Sequence, residues 1–154
     1  TSNVIAVAEC YNDWGTAGLN NALTITGNTT DATHYIRITA PASERNTGTT
    51  GTGFKISNTV TVSGSSDVWL EGIEVTGATA ISAGTTTTDS GCLYTGGITI
   101  ASGATLKLSG KTFTTFGTTT LSSGSTIEYL GPRTADTPGA VTLLNTAYHH
   151  LKLS

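Results

Sequence analysis

Short segments that alternate apolar and polar residues recur at near-constant spacing from residue 97 onward. Glycines separate them at intervals of 6 or 7 residues, at Gly97, Gly103, Gly110, Gly117, Gly124 and Gly131. Side chains alternate between the two faces of a strand, so this pattern predicts a repeating series of strands with one buried face. The predicted strands are 98–100, 105–108, 112–114, 119–121 and 126–129.

The spacing favours a solenoid over a sheet of hairpins. Three consecutive units span about 20 residues, which is the length of one coil of a three-sided β-solenoid. An antiparallel β-sandwich is the alternative, but its strands would be shorter than the usual five to six residues and weakly fixed in register. We therefore predict an all-β fold, a right-handed parallel β-helix or β-solenoid. Its interior would hold Ile98, Ile100, Leu106, Leu108, Phe113, Leu121, Ile127 and Tyr129.

The first 96 residues follow the same pattern less regularly, so residues 1–154 are predicted to form a single solenoid domain. Two stretches rich in glycine and threonine, 44–53 and 84–91, interrupt the pattern. Such stretches are typical of loops, and we expect both to project from the solenoid as its most mobile segments. The candidate strands here are 4–8, 22–26, 35–39, 54–57, 59–63, 68–70, 73–76 and 79–82.

The composition supports the β assignment and excludes some classes of binding partner. The chain has 34 threonines and 19 glycines, and only 11% of its residues are charged. Threonine suits a half-exposed pleated surface, because its β-branched side chain packs well there. The net charge of -3 is spread along the chain, which argues against a nucleic-acid partner, and no apolar stretch reaches the ~20 residues of a membrane span. The chain opens at Thr1 without a signal pattern, so we interpret it as a mature or excised segment.

The two cysteines leave two interpretations open. A Cys10–Cys92 disulfide would close a loop of about 80 residues, if the two Cα atoms lie within about 7 Å. Two buried free thiols are the alternative. The adjacent His149 and His150 and the isolated His34 lack companions at metal-ligand spacing, so neither a metal nor a cofactor is predicted.

Residues 67–77 form a strand, a glycine and a second strand, with the sequence DVWLEGIEVTG. This stretch resembles one coil of the pectate-lyase-like right-handed β-helix superfamily. The glycine-spaced region after it resembles the Thr/Ser/Gly-rich repeats of bacterial surface and secreted proteins, and the opening from Glu9 to Trp14 is similar to β-helix modules of bacterial and phage exterior proteins. The resemblance implies an extracellular or cell-surface location, and it encodes a solenoid rather than an activity.

Polysaccharide lyases of that superfamily use a basic residue and a cluster of carboxylates, and this chain offers few such groups. The candidates are Arg37, Arg45, Lys55, Glu71 and Glu74. The odd offset between the two glutamates places them on opposite faces of a strand, unless a bulge intervenes. Solvated surface charge explains these residues more simply, so we predict that the protein is not an enzyme.

Two aromatic residues near the start, Tyr11 and Trp14, lie among turn residues and are the candidate ligand-binding site. Exposed rings at such a place could bind a polysaccharide. The alternative, which the need of terminal repeats for a cover favours, is that these rings cap the N-terminal end of the solenoid. The sequence Asn28-Thr29-Thr30 matches a glycosylation acceptor and marks a surface turn.

The last four residues, 151–154, repeat the sequence of residues 106–109, yet no glycine follows the second copy. We expect the final strand to be completed by another coil, from a second copy or from neighbouring domains of a longer chain. The predicted function is therefore a non-catalytic extracellular structural protein that self-associates end to end into a fibre or forms the shaft of a surface appendage. The alternatives are a polysaccharide-binding or lyase-like module and an adhesin or phage tail-fibre segment. The predicted assembly residues are Val4, Ile5, Val7, Tyr148, Leu151 and Leu153.

Overall fold

A computed structural model describes residues 4–64, 67–109, 117–131 and 146–154. Within these ranges the regular structure is almost entirely strand, with 3-10 turns at Gly15–Ala17 and Ala42–Glu44. None of the helical segments in the described ranges has the length and apolar character needed to cross a membrane. The strands are β1 (Ala6–Glu9), β2 (Leu23–Ile25), β3 (Ile36–Thr39), β4 (Lys55–Ile56), β5 (Val60–Val62), β6 (Asp67–Glu71), β7 (Glu74–Val75), β8 (Thr79–Ile81), β9 (Thr86–Ser90), β10 (Leu93–Tyr94), β11 (Ile98–Ile100), β12 (Thr105–Ser109), β13 (Thr119–Leu121), β14 (Thr126–Tyr129) and β15 (His150–Leu153).

These strands stack into three parallel sheets, and the chain visits the sheets in turn. The largest, sheet A, has seven strands in the order β1-β3-β6-β9-β12-β14-β15. Sheet B contains β10-β7-β4, and sheet C contains β13-β11-β8-β5-β2. Every pairing between the named strands is parallel, so the predicted parallel β-solenoid is confirmed and the antiparallel sandwich is excluded.

The register gives the length of a coil directly. Asp67 pairs with Thr86 and Thr86 pairs with Thr105, each partner lying 19 residues further along the chain. This spacing agrees with the coil of about 20 residues that the glycine repeat predicts. The first coils are longer, since Ala6 pairs with Ile36, because loops between their strands add residues without changing the stack.

The interior is apolar but is divided by one polar rung, where a rung means a single strand of sheet A within the stack. The first cluster includes Ile38, Val68 and Leu70, and the second includes Leu106 and Leu108. Between them β9 turns Thr87 and Asp89 inward, and both side chains are fully buried. The core of the solenoid is therefore two apolar stacks separated by hydroxyl and carboxyl groups. All the predicted interior residues in the described ranges are buried, except the half-buried Leu121; Phe113 lies outside those ranges.

Close contact between coils requires glycine at the corner between sheets B and C. A Cβ atom on Gly96 would lie 2.2 Å from the carbonyl oxygen of Thr76 and 2.3 Å from that of Gly77. Gly77 stands in the same relation to Asn58, and Gly117 to Thr95. Real Cβ contacts are never this short, so the column of glycines allows successive coils to stack at the strand spacing of about 4.8 Å.

Both stretches predicted as projecting loops are held by the solenoid. Residues 86–90 form β9, a central strand of sheet A, so the prediction for 84–91 is wrong. Residues 44–53 do leave the sheets, but the buried Asn46 amide donates to the carbonyl oxygens of Thr49 and Thr52, and the Gly51 N–H donates to Glu74 at 2.7 Å. That loop therefore folds back over sheet B.

Candidate functional site at the end strands

The first strand of sheet A presents an open edge. β1 pairs with β3 on one side, no strand among the described residues pairs with its other side, and all four of its residues are exposed. Apolar side chains accompany this edge: Val4 is 61% exposed and Val7 57%, and Ile5 is exposed as well. An unpaired edge with exposed apolar residues is a template for adding a strand.

The last strand presents the matching edge at the other end of sheet A. β15 pairs with β14 on one side, lacks a partner on the other within the described residues, and is exposed throughout. Leu151 and Leu153 stand in the two inward-facing columns of the stack, yet Leu153 is 66% exposed because no described coil covers it. Five of the six predicted assembly residues thus lie exposed at the two end strands.

The sixth predicted assembly residue, Tyr148, is placed differently. Its ring is half-buried against the second apolar cluster, and its hydroxyl lies 2.8 Å from that of Tyr129. It therefore supports the interior of the last coil more than it shapes the end surface.

Charged groups also mark the two end strands. On β15, the Lys152 ammonium donates to Glu128 at 2.6 Å, and the Ser154 hydroxyl donates to the same carboxylate at 2.6 Å. These hydrogen bonds, above all the one from Lys152, hold the pKa of Glu128 below its usual range. On β1, Glu9 is exposed and accepts a hydrogen bond from the Tyr11 hydroxyl at 2.8 Å. One end therefore carries an exposed cation and the other an exposed carboxylate.

The candidate ligand-binding aromatics lie beside the N-terminal edge. Tyr11 and Trp14 are both exposed, Trp14 at 59%, and Trp14 directly precedes the 3-10 turn Gly15–Ala17. The other tryptophan, Trp69, is half-buried on the outer face of sheet A and stacks on Tyr35 with ring centroids 5.0 Å apart. The two tryptophans therefore differ: Trp14 is exposed to solvent and Trp69 packs on another ring.

Three of the residues considered for lyase-like chemistry form one ion cluster. The Arg37 Nε–H donates to Glu71 at 2.9 Å, and the Arg45 guanidinium lies 2.8 Å from the other carboxylate oxygen. Burial would raise the pKa of Glu71, but hydrogen bonds from Arg37 and Thr39 and the two positive charges outweigh it, so the pKa lies below its ordinary value. The Glu71 carboxylate is therefore ionised, and each of its two oxygens binds one arginine.

The remaining members of that set lie apart from this cluster. Glu74 is fully buried under the loop 44–53 and accepts from the Gly51 N–H, while the Lys55 ammonium donates to the Thr16 carbonyl oxygen. Glu71 and Glu74 belong to different sheets, because a corner at Gly72 separates β6 from β7. The two glutamates therefore lie on either side of a corner, and the expectation that they share one strand, with or without a bulge, does not apply.

The polar rung contains a group that sequence reasoning missed. The Asp89 carboxylate accepts hydrogen bonds from the Tyr94 hydroxyl at 3.1 Å and the Cys92 N–H at 3.2 Å, and its Oδ1 has no hydrogen-bond partner. Burial raises the pKa of Asp89 to about 7, and these hydrogen bonds lower it only in part. In the sequence, the only indication that Asp89 faces inward is its position two residues after Thr87, on the same face of the strand.

Both cysteines are free thiols, so the predicted alternative of a Cys10–Cys92 disulfide is wrong. Cys10 follows β1 and Cys92 follows β9, which is three rungs further along sheet A. At about 4.8 Å per rung the separation is roughly 14 Å, beyond the reach of a disulfide. Desolvation raises the pKa of both thiols, helped at Cys10 by Glu9 and at Cys92 by Asp89.

The histidines do not meet other metal-ligating side chains. His34 Nδ1 lies 2.9 Å from the Asp31 carboxylate, while His149 and His150 are exposed at the start of β15. Across the described ranges no group of three or more His, Cys, Asp or Glu side chains has the geometry to hold a metal ion.

No protein-family model matches this chain, and neither a curated protein nor a solved structure matches it. The β-solenoid is established by the parallel pairing of its own strands. The resemblance to the pectate-lyase-like superfamily and to bacterial or phage exterior proteins remains a prediction from the sequence.

Proposed function

We propose that this protein is a non-catalytic structural subunit that associates through the open edges of β1 and β15 into a fibre or an appendage shaft. The observation that supports the proposal is the pair of exposed strands at opposite ends of one parallel sheet, each with an outer edge that pairs with no described strand. Backbone N–H and C=O groups on such edges gain hydrogen bonds when a strand is added. An extracellular location is part of the same proposal, since it rests on the resemblance to exterior proteins.

The inward-facing columns supply an apolar contribution to this association. Leu151 and Leu153 continue the buried columns of Ile127 and Tyr129, so an added coil would cover them as β15 covers β14. Fully burying a leucine contributes roughly 1.5–3 kcal/mol, and two such residues at one junction give a substantial driving force. The low charge content of 11% limits repulsion between stacked copies.

Substituting Leu153 with lysine is expected to weaken association of the purified chain by at least about tenfold, because a charge replaces a leucine that the junction buries. Light scattering over a concentration series and negative-stain microscopy measure the effect. Leu130→Lys is the matched control, since Leu130 is exposed but precedes the last strand, and it should assemble like the wild type. Wild-type chains that stay monomeric at every concentration would remove the proposal.

Polysaccharide binding is a second candidate, supported by the exposure of two aromatic rings, Tyr11 and Trp14, on one short loop. Aromatic faces bind sugars through apolar contact, so Trp14→Ala is expected to abolish retention on any polysaccharide that holds the wild type. Affinity electrophoresis over a panel of neutral and acidic polysaccharides is the measurement, and Leu130→Ala serves as the control. If no polysaccharide retards the wild type, this candidate is excluded.

A further inference from the structure

We propose that copies join head to tail, with the β15 edge of one copy on the β1 edge of the next, in the register that continues the columns of sheet A. The inference rests on the end-to-end function proposed above and adds its polarity, its register and the ion pair that selects both. The partner is thus a second copy of this chain, in parallel orientation.

The register follows from the columns that run through the whole sheet. One outer column contains Val7, Arg37, Trp69, Thr88, Lys107, Glu128 and Lys152. The two inner columns begin at Ala6 and Ala8 and end at Leu151 and Leu153. A second copy that continues all three columns sets Leu151 beside Ala6 and Leu153 beside Ala8. The small alanines leave room there for the large leucines.

The same register creates an ion pair whose geometry already occurs inside the solenoid. Arg37 on β3 pairs directly with Trp69 on the next rung, β6. Its guanidinium binds Glu71, which lies two residues after Trp69 on that rung. In the continued stack, Glu9 of the second copy has that relation to Lys152 of the first. Lys152 has 61% of its side chain exposed beside Glu128, so its ammonium can meet a second carboxylate.

Other orientations do not make this pair. Joining two β1 edges brings two copies of Glu9 to one junction, and joining two β15 edges brings two copies of Lys152. Like charges brought to one junction repel, whereas the head-to-tail junction places opposite charges together. Charge complementarity therefore favours a polar filament, in which every copy points the same way.

Exchanging the two charges between variants tests the pair. Glu9→Lys alone sets Lys against Lys at every junction, and Lys152→Glu alone sets Glu against Glu. Each variant alone is expected to assemble at least about tenfold more weakly than the wild type. An equimolar mixture is expected to recover assembly, because every junction between unlike variants then pairs a lysine with a glutamate.

The controls separate the pair from unrelated charge effects. In the charge exchange, the variants and the reference chain with which they are compared all carry Glu128→Gln, which removes the carboxylate that a glutamate at position 152 would repel. Asp67→Lys makes the same charge change as Glu9→Lys on β6, two rungs inside sheet A, and should assemble normally. Circular dichroism confirms that each variant is folded.

The outcomes distinguish the two proposals. Wild-type chains that assemble, with folded charge variants that assemble equally well or a mixture that stays dissociated, would overturn the head-to-tail register and leave the structural function in place. Wild-type chains that remain monomers would overturn both. Weaker assembly of each variant alone, together with recovery in the mixture, supports the head-to-tail polarity. Junctions of two like edges would set like charges together in the reference chain as well, so each variant would then assemble no more weakly than the reference. The register is tested separately by disulfide trapping.

Disulfide trapping measures the register independently. In a Cys10→Ser and Cys92→Ser background, Ala8→Cys combined with Leu153→Cys is expected to give covalent ladders on oxidation, because adjacent strands place Cα atoms about 4.8 Å apart. Ala8→Cys combined with Leu151→Cys is two residues out of register, at about 8 Å, and should cross-link poorly. Equal ladders from both pairs would contradict the proposed register.

Discussion

The wild-type protein is expected to lose about 4 kcal/mol of stability between pH 4 and pH 7, and Asp89→Asn is expected to abolish this loss. The folded carboxyl has a pKa of about 7 because it is buried, whereas the ordinary value is 3.8. Between these two values the folded protein keeps a proton that the unfolded chain has released. The free energy of unfolding therefore falls as the pH rises through this window.

The sign of the effect separates Asp89 from three carboxyl groups whose pKa values are lowered. Burial also raises the pKa of Asp67, so that group acts in the same direction as Asp89. Glu71, Glu128 and Asp31 have pKa values lowered by their hydrogen bonds and charged partners, so the stability they contribute is present above their ordinary pKa and is lost only as the pH falls below it. Their losses occur on the acid side of the Asp89 window. The groups that hydrogen-bond Asp89 are the side chain and N–H of Cys92, the Tyr94 hydroxyl and the Gly91 N–H, and its neighbours in the column are leucines.

Urea unfolding at half-unit pH steps from 4 to 8 measures this difference. Asp89→Asn should give a flatter curve than the wild type from pH 4 to 7, because asparagine does not ionise. Asp13→Asn changes an exposed carboxylate and should follow the wild-type curve. Parallel curves for the wild type and Asp89→Asn would show that the buried carboxyl does not control this pH dependence.

Substituting Gly96 with alanine is expected to destabilise the protein by about 3 kcal/mol, at the upper end of the usual overpacking cost. The added methyl group would overlap two backbone carbonyl oxygens, at 2.2 and 2.3 Å, on the coil below. Those oxygens cannot rotate away as a side chain would, since neighbouring backbone groups pair Thr95 with Val75 and Thr79 with Gly97. Relief therefore requires the coils to separate locally.

Gly84→Ala is the matched control for this substitution. Gly84 has a left-handed φ of +73°, but the space that an added methyl group would occupy is open, so alanine there costs only the backbone strain of about 1–2 kcal/mol. Thermal and urea denaturation of both variants give the comparison. If Gly96→Ala is no less stable than Gly84→Ala, steric contact between coils does not explain the glycine column.

Much of the architecture could be predicted because it repeats. The glycine interval and the alternation around Leu106 and Leu108 give the coil length, the strand positions and the buried face, and the sheets reproduce all three. The strand β9 could not be predicted, because Thr87 and Asp89 occupy inward positions normally held by aliphatic residues. A polar strand between glycines has the composition of a loop, and only its neighbours in the stack identify it.

The end surface was predictable in part for the same reason. The copy of the 106–109 sequence at residues 151–154 indicates a strand of the same kind, and the structure places it at an open edge of sheet A. The cluster of Arg37, Arg45 and Glu71 was not predictable, since its members are brought together by stacking and by a corner of the chain. Residues distant in sequence carry no local signal of such contacts.

The polar rung also bears on how long an assembly could grow. Stability in a stacked fold is approximately a sum over units and the contacts between neighbours. At β9 the two apolar clusters are joined through a rung with a buried carboxyl group, held by five-residue ladders to β6 and β12. A subunit that unfolds on one side of this rung would still present the end strand of its folded side. Such half-ordered subunits could join a growing end but not extend it. If the chain assembles as proposed, ionisation of Asp89 above pH 7 would weaken the fold and so shorten the assemblies.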